Sequence, residues 1–187
     1  MDERAALTRN LEERFRKLSL ALYDTSLPAG QADREIGPLL AEGVRFTDPW
    51  QEAAGRAKYR LGLAGFHALF RFKLEVTQVG VHLAEDGVRG RALVDGVMNL
   101  RPLGDWFTYP LRTFLVYDFT LTGGPAAPQV LIHAHEEMWS LGDMIAALPG
   151  AGRFYRQVFR PAFSWGFLAA SWLGTRAEQP QDGQARS

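Results

Sequence analysis

Leu7, Leu11, Phe15, Leu18 and Leu22 recur at spacings of three and four with Arg and Glu between them, which predicts an amphipathic helix with one face on a core. Asp, Thr, Ser, Pro and Gly cluster over Tyr23–Gly30 and end it. A short helical piece is predicted around Asp33–Glu42, interrupted by Gly37–Pro38 and closed by Gly43. Val44–Asp48 reads as a short strand running into Pro49, which has no ladder donor and biases Asp48 towards an extended conformation. The next helix is predicted over Arg56–Leu69, with Tyr59, Leu63, Phe66 and Phe70 on one side. Then the period changes. Arg71–Leu83, Asp86–Leu103, Pro110–Thr122 and Pro128–Leu141 are rich in Val, Phe, Leu and Thr and are separated by Glu-Asp-Gly, Gly-Asp-Trp and Gly-Gly-Pro, the pattern of a four-stranded antiparallel meander. Strands of about ten to twelve residues reach ~35–40 Å, and sheets that long twist and curl. Gly142–Gly174 reads as one or two helices broken near Pro149–Gly152 and Pro161, and the polar tail from Glu178 has nothing to bury.

Composition narrows the function classes without naming a reaction. At 187 residues and 47% hydrophobic the chain is long enough to bury a full core without a disulfide or metal staple, and a single domain over 1–176 is expected, with 177–187 as an unpacked tail. The absence of cysteine excludes thiolate zinc sites, Fe–S clusters and Cys nucleophiles. Equal numbers of basic and acidic residues argue against a nucleic-acid binder. No apolar run follows Met1–Asp2–Glu3–Arg4, so no secretory signal is read there and a cytoplasmic protein is the default expectation. The longest uncharged stretch, Pro161–Thr175, has 15 residues, short of the ~20 that span a bilayer as a helix.

Several side chains carry candidate chemistry. Asp48, flanked by Phe46 and Trp50, is placed to act as a general base if its pocket is dry. The plainer alternative is that it caps its own loop, since Asp before Pro commonly starts a turn, or pairs with Arg45 or Arg56. His133, His135 and Glu137 fall on one face of a regular strand. Same-face neighbours lie ~7 Å apart, so only adjacent pairs chelate easily, and a polar strip in a cavity or at a subunit face is favoured over a metal site. Asp95 and Asp118 lie mid-strand, where charge needs water or a partner: facing inward they would serve His133 or His135, facing outward they would pair with Arg on a neighbouring strand. Trp106, Phe107 and Tyr109 crowd one connection, which suggests a cavity rim or subunit contact. In the C-terminal segment Arg153, Arg156 and Arg160 interleave with Phe154, Tyr155 and Phe159. Such a mixture suits an interfacial membrane helix, but the Gly and Pro breaks favour a helix covering a cavity or partner subunit.

The element order, together with Val44-Arg-Phe-Thr-Asp-Pro-Trp, Gly55 and the helix carrying Tyr59, resembles the nuclear transport factor 2-like superfamily, which includes SnoaL-like polyketide cyclases, ketosteroid isomerases and limonene-epoxide hydrolases. The resemblance covers about residues 5–141. Within the superfamily the chain looks most like a lineage of uncharacterised members whose last strand ends in Trp–Ser–Leu, here Trp139–Ser140–Leu141. It implies an α+β fold: a curved antiparallel sheet of four long strands plus a short one, wrapped around N-terminal helices as a cystatin-like cone, with a C-terminal helical extension. It further implies an apolar cavity, with Phe46, Trp50, Tyr59, Phe66, Asp95, Trp106, Tyr109, Tyr117, Asp118, Glu137 and Trp139 as candidate ligand contacts, and Tyr23 where some relatives place an oxyanion-donating phenol. Many relatives are homodimers through the outer sheet face. The sequence allows this independently, because Pro110–Thr122 is apolar on both parities: Leu115, Tyr117, Phe119 and Leu121 on one, Phe114 and Val116 on the other. The expectation is a cofactor-free protein that binds a small hydrophobic molecule. The alternatives are an isomerase, cyclase or hydrolase with Asp48 as base and Tyr23, His133 or His135 as hydrogen-bond donors, and a membrane-peripheral or protein-interaction module built on Gly142–Gly174.

Overall fold

A computed structural model describes residues 3–27, 30–101, 108–123, 128–148 and 150–177. Chain contacts divide it into two units, Met1–Ser140 and Leu141–Ser187.

In the first unit the apolar stripe forms α1 (Glu3–Leu22), which buries Leu11, Phe15, Leu18 and Leu22 against the sheet. A short α2 (Gln31–Ile36) passes into a 3-10 turn, Gly37–Leu39. The helix expected to run on to Glu42 stops there. Leu40 begins β1 (Leu40–Thr47), earlier than the expected Val44–Asp48, and Asp48 lies just past its end. Pro38 supplies no donor to extend a helix, whereas Leu40, Ala41 and Val44 are all buried by pairing β1 with the last strand. Gly43 therefore lies within the strand, where the register with that neighbour shifts between Leu40 and Arg45. A three-residue strand not anticipated from sequence, β2 (Glu52–Ala54), pairs back on β1, and Gly55 with φ 97° turns the chain into α3 (Arg56–Leu69). Only glycine adopts that conformation without strain.

The meander follows as β3 (Phe72–Leu83), β4 (Arg89–Leu100), β5 (Tyr109–Thr122) and β6 (Gln129–Trp139). The sheet order is β2-β1-β6-β5-β4-β3, antiparallel throughout except for the parallel β1/β6 pair. On β5, Leu111, Thr113, Leu115, Tyr117 and Phe119 alternate into the core, while Arg112, Phe114 and Asp118 take the opposite parity. Bulges in β3 at Thr77 and in β6 at His133 break the ladders and bend the sheet around the helices. The result is the curved α+β sheet of the expected fold class, with six strands among the described residues instead of five.

The second unit is helical: α4 (Leu141–Ala147), α5 (Ala151–Phe154), a π-turn over Tyr155–Phe159, and α6 (Arg160–Ala177). The break expected near Pro149–Gly152 is present. Gly150 has φ 80°, and a Cβ on Gly152 would meet the Ala146 carbonyl oxygen at 2.1 Å, so only glycine lets α4 and α5 approach this closely. The break expected at Pro161 does not occur. Proline is tolerated in a helix's first turn, and the wider i to i−5 bond from Arg160 to Tyr155 precedes it. The tail from Glu178, residues 102–107 around Gly-Asp-Trp and residues 124–127 around Gly-Gly-Pro lie outside the described residues.

Candidate functional site

Between the end of α1, β1, the β1–β2 turn, α3 and β6 lies a cavity of about 260 Å³. Leu22, Phe46, Leu61, Leu63 and Phe66 supply apolar wall, and Tyr23, Tyr59, His135 and Glu137 reach it from inside, with Asp48, Gln51 and Lys58 nearer solvent.

The β6 bulge decides which side chains arrive. Asp118 pairs with Ala134 and Phe119 with Ile132, so His133 is an extra residue with no partner in the ladder. The strand's parity shifts there: Val130, Ile132, His135 and Glu137 point inward, while His133 is exposed and hydrogen-bonds Thr120 Oγ1 at 2.9 Å. The expected face of His133, His135 and Glu137 is thus corrected to His135 and Glu137 alone, and the two imidazoles cannot close on one ion.

Four polar side chains form a buried chain. The Tyr23 hydroxyl donates to Glu137 Oε1. With its hydrogen so used, Tyr23 Oη accepts from His135 Nε2 at 3.3 Å, which leaves Nδ1 to accept from the Tyr59 hydroxyl at 2.6 Å. The neutral Nε2–H tautomer is therefore the one that satisfies every member. Tyr117, fully buried, stacks on the His135 ring with centroids 4.4 Å apart and is itself hydrogen-bonded to Ser19 at 3.1 Å, while Phe46 meets the ring edge-on at 5.3 Å. The imidazole is thereby fixed by one stacked face, an edge contact and both nitrogens.

Burial sets the electrostatics. Desolvation pushes His135 down to about 3, so the ring is neutral near pH 7. It pushes Glu137 up to about 7, against the opposing hydrogen bonds from Tyr23 and the Trp139 side chain and with a further upward push from the Asp48 charge. The Tyr23 and Tyr59 phenols are held well above their usual value, first by burial and then by neighbouring groups including Glu137, so both remain proton donors. A carboxyl that titrates near neutrality beside locked donors can take up and return a proton at working pH.

Asp48 is held by its own turn. Its Oδ1 accepts the Trp50 and Gln51 amides at 2.7 and 2.8 Å, and its Oδ2 accepts Gln51 Nε2 at 3.0 Å. It lines the cavity, yet three hydrogen bonds from its own turn engage both carboxylate oxygens, which is the loop-capping alternative. Asp95 and Asp118 face outward and pair across strands with Arg112 at 3.0 Å and Arg91 at 2.6 Å; neither lines the cavity. Trp50 is largely exposed, edge-on to Trp139 at 4.7 Å, and Tyr109 opens β5 away from the cavity lining. Trp106 lies outside the described residues. Sequence reasoning missed Ser19, whose signal was a polar residue inside the buried stripe of α1, and missed Gln51 and Lys58, which carry no distinguishing pattern.

No family model matches the chain and no curated protein matches it in sequence. Among solved structures, nuclear transport factor 2 from Cryptosporidium parvum superposes with a TM-score of 0.53 at 16% identity, over 71% of this chain and 94% of that one. A protein provisionally assigned as a dehydratase of the NTF2-like family, from Streptomyces avermitilis, gives 0.53 at 14% identity over 71% and 98% of the two chains. An NTF2-like protein of unknown function from Pseudomonas putida gives 0.51 at 16% over 70% and 87%. At these identities the likeness is one of fold: the chain has the NTF2-like cone fold.

Proposed function

We propose that this NTF2-like cone is an acid–base catalyst for a small, mostly apolar substrate, with Glu137 as the group that accepts and returns the proton. The observation that carries the proposal is the buried chain Tyr59–His135–Tyr23–Glu137 opening on one cavity. A ligand-binding pocket needs apolar wall and a few fixed donors. It does not need a carboxyl held near neutrality, and burying an ionisable group without a charge partner costs stability. Proton transfer is chemistry a carboxyl performs by itself, so the reaction class is proton abstraction at carbon, as in isomerisation or elimination, with the Tyr59–His135–Tyr23 chain holding the carboxyl in place. At about 260 Å³ the cavity falls just below the ~300–1,000 Å³ usual for drug-sized ligands, which favours a compact substrate. The dehydratase assignment of the Streptomyces protein fits an elimination.

The experiment uses 5-nitrobenzisoxazole, a small flat substrate that reports a base in an apolar pocket. The carboxylate takes the C3 proton, the C–H electron pair becomes part of a nitrile, the N–O bond breaks, and the coloured cyanophenolate leaves. The intact chain is expected to raise the rate with a single ionisation at about 7, and Glu137→Gln to remove about 10²-fold or more of it. A rate no greater than that of free carboxylate buffer, or one unchanged in Glu137→Gln, would refute catalysis and leave the binding role. Native mass spectrometry of the purified protein tests that role through any retained ligand.

The same proposal includes a homodimer through the outer sheet face. Across β4, β5 and β6, Leu93 pairs with Val116 and Phe114 with Met138, an apolar patch framed by the Asp95–Arg112 and Asp118–Arg91 pairs. Leu93→Glu is expected to shift the mass measured by light scattering from dimer to monomer; a wild-type monomer at the same concentration sinks this part of the proposal.

A further inference from the structure

The C-terminal unit has a feature that the cavity chemistry does not use. Ala151–Ala177 is helical throughout, through α5, the π-turn and α6. Phe154, Val158, Phe159, Phe163, Trp165 and Phe167 are all at least half exposed. An exposed cluster of this kind marks a binding surface. The charges along it have one sign. Between Asp143 and Glu178 the only charged residues are Arg153, Arg156, Arg160 and Arg176. The first three recur at three and four residues, on one stripe of the helix, with the Arg156 guanidinium also donating to the Ala146 carbonyl at 2.9 Å.

We propose that this helix docks the protein on an anionic lipid bilayer, lying in the interface with its aromatic side chains in the acyl boundary and Arg153, Arg156 and Arg160 among the headgroup phosphates. Two features select this occupant. A second copy of the helix would bring arginine stripes together with no acidic residue in the segment to pair them, whereas lipid phosphate complements them. The uncharged run Pro161–Thr175 is ~22 Å long as a helix, too short for a hydrocarbon core of ~30 Å but sufficient for shallow insertion. No helix among the described residues is long and apolar enough to cross a membrane.

The test is co-sedimentation of the full chain with vesicles of phosphatidylcholine alone and of phosphatidylcholine mixed with phosphatidylglycerol. Pelleting with the mixed vesicles, weakened by added salt, is expected. The triple Arg→Gln variant at 153, 156 and 160 should partition about a hundredfold less, at ~1 kcal/mol per basic residue near an anionic surface, and the triple Arg→Lys variant should retain binding. The intact chain's preference between the two vesicle types tests the proposal even if a variant folds poorly. It is overturned if the intact chain stays in the supernatant, pellets equally with both vesicles, or still pellets after removal of residues 161–187. Self-association through this segment without vesicle binding overturns it too.

Discussion

Replacing Glu137 by Gln tests the electrostatics of the cavity without any knowledge of the substrate. The substitution keeps the side chain's shape and an acceptor for the Tyr23 hydroxyl, and it removes the titration. In the folded chain Glu137 keeps its proton to about 7, whereas an unfolded glutamate releases it near 4.5. The folded state therefore binds the extra proton between those values. The stability it contributes is fully present below pH 4.5 and is lost as pH rises towards 7. That shift corresponds to about 3 kcal/mol, at ~1.36 kcal/mol per tenfold change in proton affinity, for a side chain only 6% exposed. His135 acts in the opposite sense. Its folded value of about 3 lies below the ordinary 6.5, so its contribution is present above 6.5 and lost as pH falls towards 3. Between about 4.5 and 6.5 the two oppose each other, and the wild-type profile is nearly flat there. Urea unfolding of both proteins from pH 4.5 to 8 isolates the carboxyl. Relative to wild type, Glu137→Gln should gain about 3 kcal/mol across that range, whatever constant offset the amide introduces. A difference that does not change with pH would mean that Glu137 titrates as an ordinary surface glutamate, and the proposed base would be lost with it.

Other outcomes follow from the same geometry. His135→Asn should unmask the Glu137 contribution, so that the variant gains stability as pH falls from 6.5 to 4.5 where wild type stays nearly flat, read from the same unfolding curves. Asp48→Asn should leave the 5-nitrobenzisoxazole rate within a few-fold of wild type, because Asp48 serves its own turn; a loss as large as that of Glu137→Gln would return the base to Asp48. Gly90→Ala should cost about 1–3 kcal/mol in urea unfolding, since its Cβ would fall 2.4 Å from the Phe119 ring that covers Gly90 across the β4–β5 pair; an unchanged midpoint would contradict that close packing.

Period and punctuation made most of the elements legible. The stripe from Leu7 to Leu22 needs only one apolar face, Gly55 and Phe70 bound α3, and the β-branched and aromatic runs after Phe72 admit little besides long strands. Local pattern also supplied both options for Asp48 and for Asp95 and Asp118, because a carboxylate's own sequence states that it needs partners and not which ones. Three-dimensional arrangement supplied the choices. Arg91 and Arg112 come from neighbouring strands to claim the two mid-strand aspartates. The bulge at His133 depends on the partner strand's register, so strict alternation put His133 with Glu137 when the fold puts it on the opposite face. Leu40 became strand because β6 lay beside it. Above all, the exchange of Asp48 for Glu137 as the candidate base was decided by desolvation. The two residues are the same functional group, and what separates them is that one is engaged by the donors of its own turn, while the other is buried beneath α1 and α3 against a tyrosine hydroxyl, a property of distances between elements far apart in sequence.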